Sequence, residues 1–177
     1  QWLMDFIAYS TQNVGKKIKH APLIQGFEGD GKSTIADVIS CCLGGRNVKP
    51  LPPTALQDKF TGWAEGSCMV VLEELRVAGH NRFDVLDTIK PMITNDTIDI
   101  RRMNRDNYSI VNVTNYIAFT NHRDALPLND HDRRWGIIFS PYSDIHDMAR
   151  DVGDIYEYFG KIPKPTRVLT EPYTIEP

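Results

Sequence analysis

Apolar residues recur along this chain at several spacings, and each change of spacing marks a new element. Trp2, Leu3, Phe6 and Ile7 share one face of a helix, which predicts an entry helix ending near Ser10. Gly15-Lys16-Lys17-Ile18-Lys19-His20 breaks that pattern as a basic run, expected to be a solvated loop. Ala21-Pro22-Leu23-Ile24 reads as a short buried strand. From Thr34 to Ile39 apolar residues return at helical spacing, and Gly44-Gly45 stops that helix. Pro50, Pro52 and Pro53 predict a stiff connection, after which Leu56, Phe60 and Trp63 form a stripe expected to face the core. Cys68-Met69-Val70-Val71-Leu72 is uninterrupted, as in a parallel strand buried on both faces. Phe83 to Ile93 is helical, with Pro91 in its last part or at a kink. Ile98 to Arg102 and Tyr108 to Val113 alternate as strands, and the polar link 103–107 is short enough for a hairpin. Tyr116 to Asn121 predicts a further buried strand, followed by a charged loop from His122 to Arg134 and a last strand, Trp135 to Phe139. Ser143 or Asp144 then caps a helix running to about Phe159, and prolines 163, 165, 172 and 177 predict an extended tail.

Strands alternating with helices predict an α/β domain with a parallel sheet. The 177 residues suit one domain with a sizeable core. We divide the chain into residues 1–20, an entry helix and basic linker; 21–160, the core; and 161–177, a proline-bearing tail. It begins Gln-Trp-Leu without an initiator Met and is expected to be a piece of a longer protein. A net charge of −3 does not mark a nucleic-acid binder, so any such contact must be local. No apolar run is long enough to span a bilayer, and no membrane partner is expected. The three cysteines lack paired C-x-x-C spacing, so they are expected to be buried thiols of a reducing cytosol, with Cys41 and Cys42 on a helix.

Chemistry concentrates between the first strand and its helix. Gly26-Phe27-Glu28-Gly29-Asp30-Gly31-Lys32-Ser33 reads G-x-x-x-x-G-K-S, the phosphate-binding P-loop, followed by Thr34 in the first helical turn. Glycines allow a tight turn in which successive N–H groups converge on phosphate oxygens. Lys32 brings a mobile cation to the β- and γ-phosphates, and the Ser33 hydroxyl is a ligand for Mg²⁺. A strand, a glycine loop and a helix N-terminus together place an anion on a helix dipole. The chain is therefore expected to bind a nucleoside triphosphate.

Later residues narrow the class. Glu73 and Glu74 end the uninterrupted apolar strand, where open α/β sheets bind ligands. The first is a candidate to hold Mg²⁺, directly or through water, and the second to polarise the attacking water. Asn121, ending the next buried strand, fits a polar sensor of the γ-phosphate. These motifs fall within about 95 residues of Gly26, with the hairpin between them.

In order and compactness the chain resembles the superfamily-3, AAA+-related helicases of viruses, phages and plasmids. More closely it resembles the helicase part of phage and mobile-element primase–helicases. The resemblance rests on the P-loop, on Met69 to Glu74 and on Phe119-Thr120-Asn121. Weaker matches are Leu86 to Lys90 with Arg101-Arg102, and Asp132-Arg133-Arg134-Trp135. It implies a three-layered P-loop NTPase core with an inserted β-hairpin. The homo-oligomeric ring, usually hexameric, would hydrolyse ATP with Mg²⁺ at subunit interfaces and move single-stranded DNA through its centre. A primase or polymerase domain would lie elsewhere in the full-length protein, in the cytoplasm of an infected host. The hairpin would point into the channel, which makes Lys90, Arg101, Arg102 and Arg105 the candidate DNA contacts. An arginine beyond the sensor would reach a neighbour's γ-phosphate. Arg134 is preferred over Arg133, since Asp132 is expected to pair with Arg133. Two other readings stay open: an AAA+-like initiator or packaging ATPase, and an assembly module that binds nucleotide with little turnover.

Overall fold

In the computed structural model, which describes residues 1–56, 60–75, 82–122, 125 and 132–141, the uninterrupted apolar runs become strands of one parallel sheet. The described elements are α1 (Trp2–Gln12), β1 (Ala21–Gln25), α2 (Lys32–Leu43), β2 (Val48–Leu51), β3 (Met69–Leu72), α3 (Arg82–Thr94), β4 (Thr97–Ile100), β5 (Tyr108–Val111), β6 (Asn115–Thr120) and β7 (Trp135–Phe139). Short 3₁₀ turns occupy Gly45–Asn47, Pro53–Leu56 and Gly62–Ala64. The sheet order is β2-β3-β6-β1-β7, with every pairing parallel. Because all five strands point one way, the residues that follow β1, β3 and β6 emerge along one edge.

The central strands carry side chains to both faces, which is why their sequences are apolar without alternation. On one face α1 and α2 pack Phe6, Ile39 and Leu43 against Ile24, Met69, Val71, Ile117 and Phe119. On the other, α3 and the hairpin pack Val85, Ile89, Ile93, Ile98 and Ile100 against Val70, Leu72, Tyr116 and Ala118. Each such aliphatic side chain, fully buried, stabilises by about 1.5–3 kcal/mol. The result is a mixed α/β architecture with the sheet between two layers.

The hairpin forms as expected: β4 and β5 pair antiparallel, with Ile98 opposite Ile110 and Ile100 opposite Tyr108. Its strands are shorter than the alternation predicts. Arg101 and Arg102 leave β4 and join a loop, in which Asn104 adopts a left-handed φ of 56°. That loop is held at its base. Thr61 accepts from the Arg101 N–H at 2.9 Å and donates its own N–H to the Arg101 carbonyl at 3.1 Å. The Arg102 guanidinium pairs with Glu65, which also accepts from the Tyr108 hydroxyl at 2.7 Å.

Four expectations need correction. Pro50 belongs to no linker: it sits in β2, an edge strand, where a residue without an N–H is tolerated. Phe60 does not complete a core stripe; it is 47% exposed, while Leu56 and Trp63 pack on the core from two separate turns. Cys41 and Cys42 lie on the exposed side of α2, and Cys68 alone is buried. The basic run is not simply solvated. Lys17 enters the protein, donating to the Met92 carbonyl at 2.9 Å and to that of Thr114, with its ammonium 4.5 Å from the centre of the Tyr116 ring. Burial, with a smaller contribution from nearby Lys19, pushes its pKa down to about 7. Beside it Asn115 accepts from the Ile18 N–H at 2.7 Å and donates to the Lys16 carbonyl at 3.0 Å, which ties the linker to β6. The helix expected from Ser143 or Asp144, the tail and most of the loop after His122 lie outside the described residues. Among the described residues, no helix is long and apolar enough to cross a membrane.

Candidate functional site

Parallel register brings the site together. Gln25 of β1 lies beside Thr120 of β6, so the glycine loop begins next to Asn121. Leu72 of β3 lies beside Ala118, so Glu73 and Glu74 emerge on the same edge. Leu75 then donates to the Phe119 carbonyl at 2.7 Å and turns the chain back over β6. These three segments line one cavity of about 450 Å³.

The loop has little steric freedom. A Cβ on Gly26 would stand 1.6 Å from the Asp30 carboxylate and 2.8 Å from the Ser140 Cβ, so only glycine fits. Gly29 and Gly31 adopt φ of 88° and 86°, a region that side chains disfavour. Gly31 directly precedes α2, whose first residues, Lys32, Ser33 and Thr34, lie at the positive dipole end of the helix, where the Lys32 N–H donates to Asp30 Oδ1 at 3.4 Å. Ser33 and Thr34 are exposed there, and Phe27 and Glu28 flank the loop. The Lys32 ammonium folds back, 2.5 Å from the Phe27 carbonyl and 2.6 Å from Asp30 Oδ1.

Facing this loop, Glu73 and Glu74 are exposed. Glu74 has a φ of 48°, an uncommon conformation for a non-glycine residue. Such strain costs on the order of 1 kcal/mol and clusters at functional positions. Asn121 Oδ1 is buried and has no hydrogen-bond partner within the protein. The Ser33 hydroxyl and Glu73 carboxylate are hard oxygen donors of the kind Mg²⁺ accepts alongside phosphates. Among the described residues, no group of three His, Cys, Asp or Glu side chains makes a ready metal cage. The donor set thus fits a cation that arrives with its phosphates. Chemically, the cavity can bind a phosphate chain at a helix N-terminus and set carboxylates and an amide opposite it.

The remaining candidates lie away from this cavity. Lys90 on α3 is ion-paired with Asp87 at 3.2 Å. Arg102 is engaged with Glu65, whereas Arg101 and Arg105 are exposed on the hairpin loop. Arg133 and Arg134 precede β7, whose first residue, Trp135, pairs with Ala21, the first of β1. They therefore stand at the opposite end of the sheet, roughly 15 Å along β1 from the glycine loop, too far to serve that loop in the same subunit. The expected pairing is reversed. Asp132 lies 3.5 Å from the Arg134 guanidinium and accepts from the Arg134 N–H at 3.0 Å, while Arg133 is exposed. Sequence reasoning placed Asp30 within the loop but missed its hold on Lys32; the signal was an acid two residues before the lysine.

A family model described as a family of unknown function (DUF5906) matches residues 24–134, from β1 through the arginine pair. The chain is 25% identical over 117 residues to the DNA primase-polymerase of Nitratiruptor phage NrS-1, a stretch covering 66% of this chain and 16% of that protein. Its fold matches the apo structure of the NrS-1 C-terminal region with a TM-score of 0.69 at 21% identity, over 92% of this chain and 41% of that one. It also matches NtrX from Brucella abortus in complex with ATP, with a TM-score of 0.54 at 14% identity, over 88% and 38% of the two chains. This chain thus spans less than half of either structure and about a sixth of the phage primase-polymerase.

Proposed function

The chain belongs to the DUF5906 family, and we propose that it is the ATPase core of a DNA-translocating helicase in phage or mobile-element replication. The observation that carries the reading is the single cavity shared by the glycine loop, Glu73-Glu74 and Asn121, which are distant in sequence. In this reading the loop N–H groups and Lys32 bind the β- and γ-phosphates of ATP, and Ser33 and Glu73 hold Mg²⁺. Glu74 orients the attacking water, and Asn121 turns its free amide oxygen toward that water. The likeness to a phage DNA primase-polymerase and the fold shared with the NrS-1 C-terminal region support a replication role.

The subunits would form a ring, with hydrolysis at their interfaces. Arg133 now becomes the better candidate to reach a neighbour's γ-phosphate, because it is exposed while Arg134 is paired. On the hairpin, Arg101 and Arg105 are free to meet a single strand. Arg102 would act by holding the loop through Glu65, and Lys90 lies on the supporting helix. The test is ATP turnover by the assembled protein with and without single-stranded DNA. Stimulation by DNA supports the helicase reading; turnover indifferent to DNA points to an initiator or packaging motor instead. Nucleotide binding without turnover would leave an assembly module.

A further inference from the structure

The P-loop pattern fixes its glycines, lysine and serine and leaves the intervening positions free, so nothing in the motif demands an acid at position 30. Yet the Asp30 side chain is almost wholly enclosed. Its side chain is 1% exposed and its partner Lys32 is 12% exposed, joined at 2.6 Å. The second oxygen, Oδ2, is buried without a partner and leans over Gly26 where any Cβ would collide with it. A carboxylate therefore sits inside a loop whose helix dipole and ammonium are suited to a phosphate. The other acids lining the cavity, Glu28, Glu73 and Glu74, are exposed and screened by solvent, so Asp30 carries the least screened negative charge there.

We propose that Asp30 is an internal counter-anion that occupies the phosphate position on Lys32 and must yield it when nucleotide arrives, so that this carboxylate sets nucleotide affinity. The inference rests on the reading of the cavity as a nucleotide site. Lys32 exchanges one anion for another, and part of the gain from phosphate binding is offset by the ion pair it breaks. The displaced carboxylate is left among phosphate oxygens, where it repels them unless a divalent cation accompanies the nucleotide. Asp30 thereby favours metal-bound over metal-free ATP. It acts through Lys32 and through charge, as a positioning residue.

Equilibrium binding of ATP to the full chain, measured with Mg²⁺ and again with EDTA, tests this in Asp30→Asn and Asp30→Ser. Loss of a charge-assisted contact predicts that both variants bind ATP about tenfold more tightly than the parent in EDTA. The tightening should be smaller with Mg²⁺, a difference that a purely bracing role would not produce. If the parent binds ATP and both folded variants bind equally or more weakly, the proposal fails while the nucleotide site stands. If parent and variants alike bind no ATP, the site reading fails and takes the proposal with it. Failure of both variants to fold also overturns it, because a displaceable latch cannot be essential to the fold.

Discussion

Two lysines at opposite ends of one sheet are both drawn into the protein, and the difference between them separates the site from its scaffold. Lys32, past the carboxyl end of β1, takes its partners from Phe27 and Asp30, within five residues of itself. Lys17, near the amino end, takes its partners from Met92 and Thr114, 75 and 97 residues away. The first is held from within its own loop, so in our reading it can exchange Asp30 for a phosphate without releasing another element. The second ties the entry linker to the end of α3 and to the approach to β6, and its release would open the core. A buried cation held locally is available for chemistry; one held from distant segments is part of the frame.

The largest expected effect tests that division. Lys32→Ala should weaken ATP binding by about two orders of magnitude or more, as charge-assisted phosphate contacts are lost, and should lower the unfolding midpoint as well, because it strips the buried Asp30 carboxylate of its cation. Within the same cavity, Glu74→Gln should keep ATP binding and lose about 10²–10⁴-fold in turnover, the usual span of general-base contributions. Calorimetric binding beside steady-state hydrolysis reads both. A Glu74→Gln protein with parental turnover would move the role to Glu73 or elsewhere.

Lys17 should behave in the converse manner. Lys17→Met removes the donor of two carbonyls and is expected to cost about 1–3 kcal/mol of stability without altering ATP affinity. The cost should depend on pH. Its folded pKa of about 7 lies below the ordinary lysine value of 10.5, so between these the unfolded chain binds more protons and stability rises with pH. The parent should therefore gain on Lys17→Met as pH climbs through that window. Urea unfolding at pH 6 and pH 9 measures it, and an unchanging difference between the two proteins would remove the charge from the account.

Smaller effects are expected on the hairpin. Arg105→Ala should weaken single-strand binding severalfold and flatten its salt dependence by roughly one phosphate contact, leaving basal hydrolysis intact. Arg102→Ala breaks a partly exposed pair with Glu65, worth about 0–1 kcal/mol, and should act by loosening the loop. Equal DNA affinity in the parent and Arg105→Ala at low salt would place the strand elsewhere. The smallest recovery is expected at Arg133. If it acts across an interface, inactive Arg133→Ala and Lys32→Ala subunits should regain some hydrolysis when mixed under conditions of subunit exchange. Mixtures that stay inactive despite proven exchange would confine Arg133 to its own subunit.

The parallel sheet, the glycine loop and helix α2, the acids after β3, the polar end of β6 and the hairpin were all legible from local pattern. Strand burial, helical spacing and turn chemistry are properties of neighbouring residues, and the φ of Gly29 and Gly31 is set within the loop, whereas the space at Gly26 is closed by Asp30 and by the distant Ser140. What β2 does with Pro50 was not legible, since an edge position depends on which strand comes to pair with it. Nor were the burial of Lys17, the engagement of Arg102 by Glu65, or the choice of Arg134 over Arg133 by Asp132. A charged side chain is solvated, structural or reactive according to what the finished fold sets against it. Residues such as Met92, Thr114 and Glu65 come within reach only when separate elements pack together, and no spacing along the chain encodes that meeting.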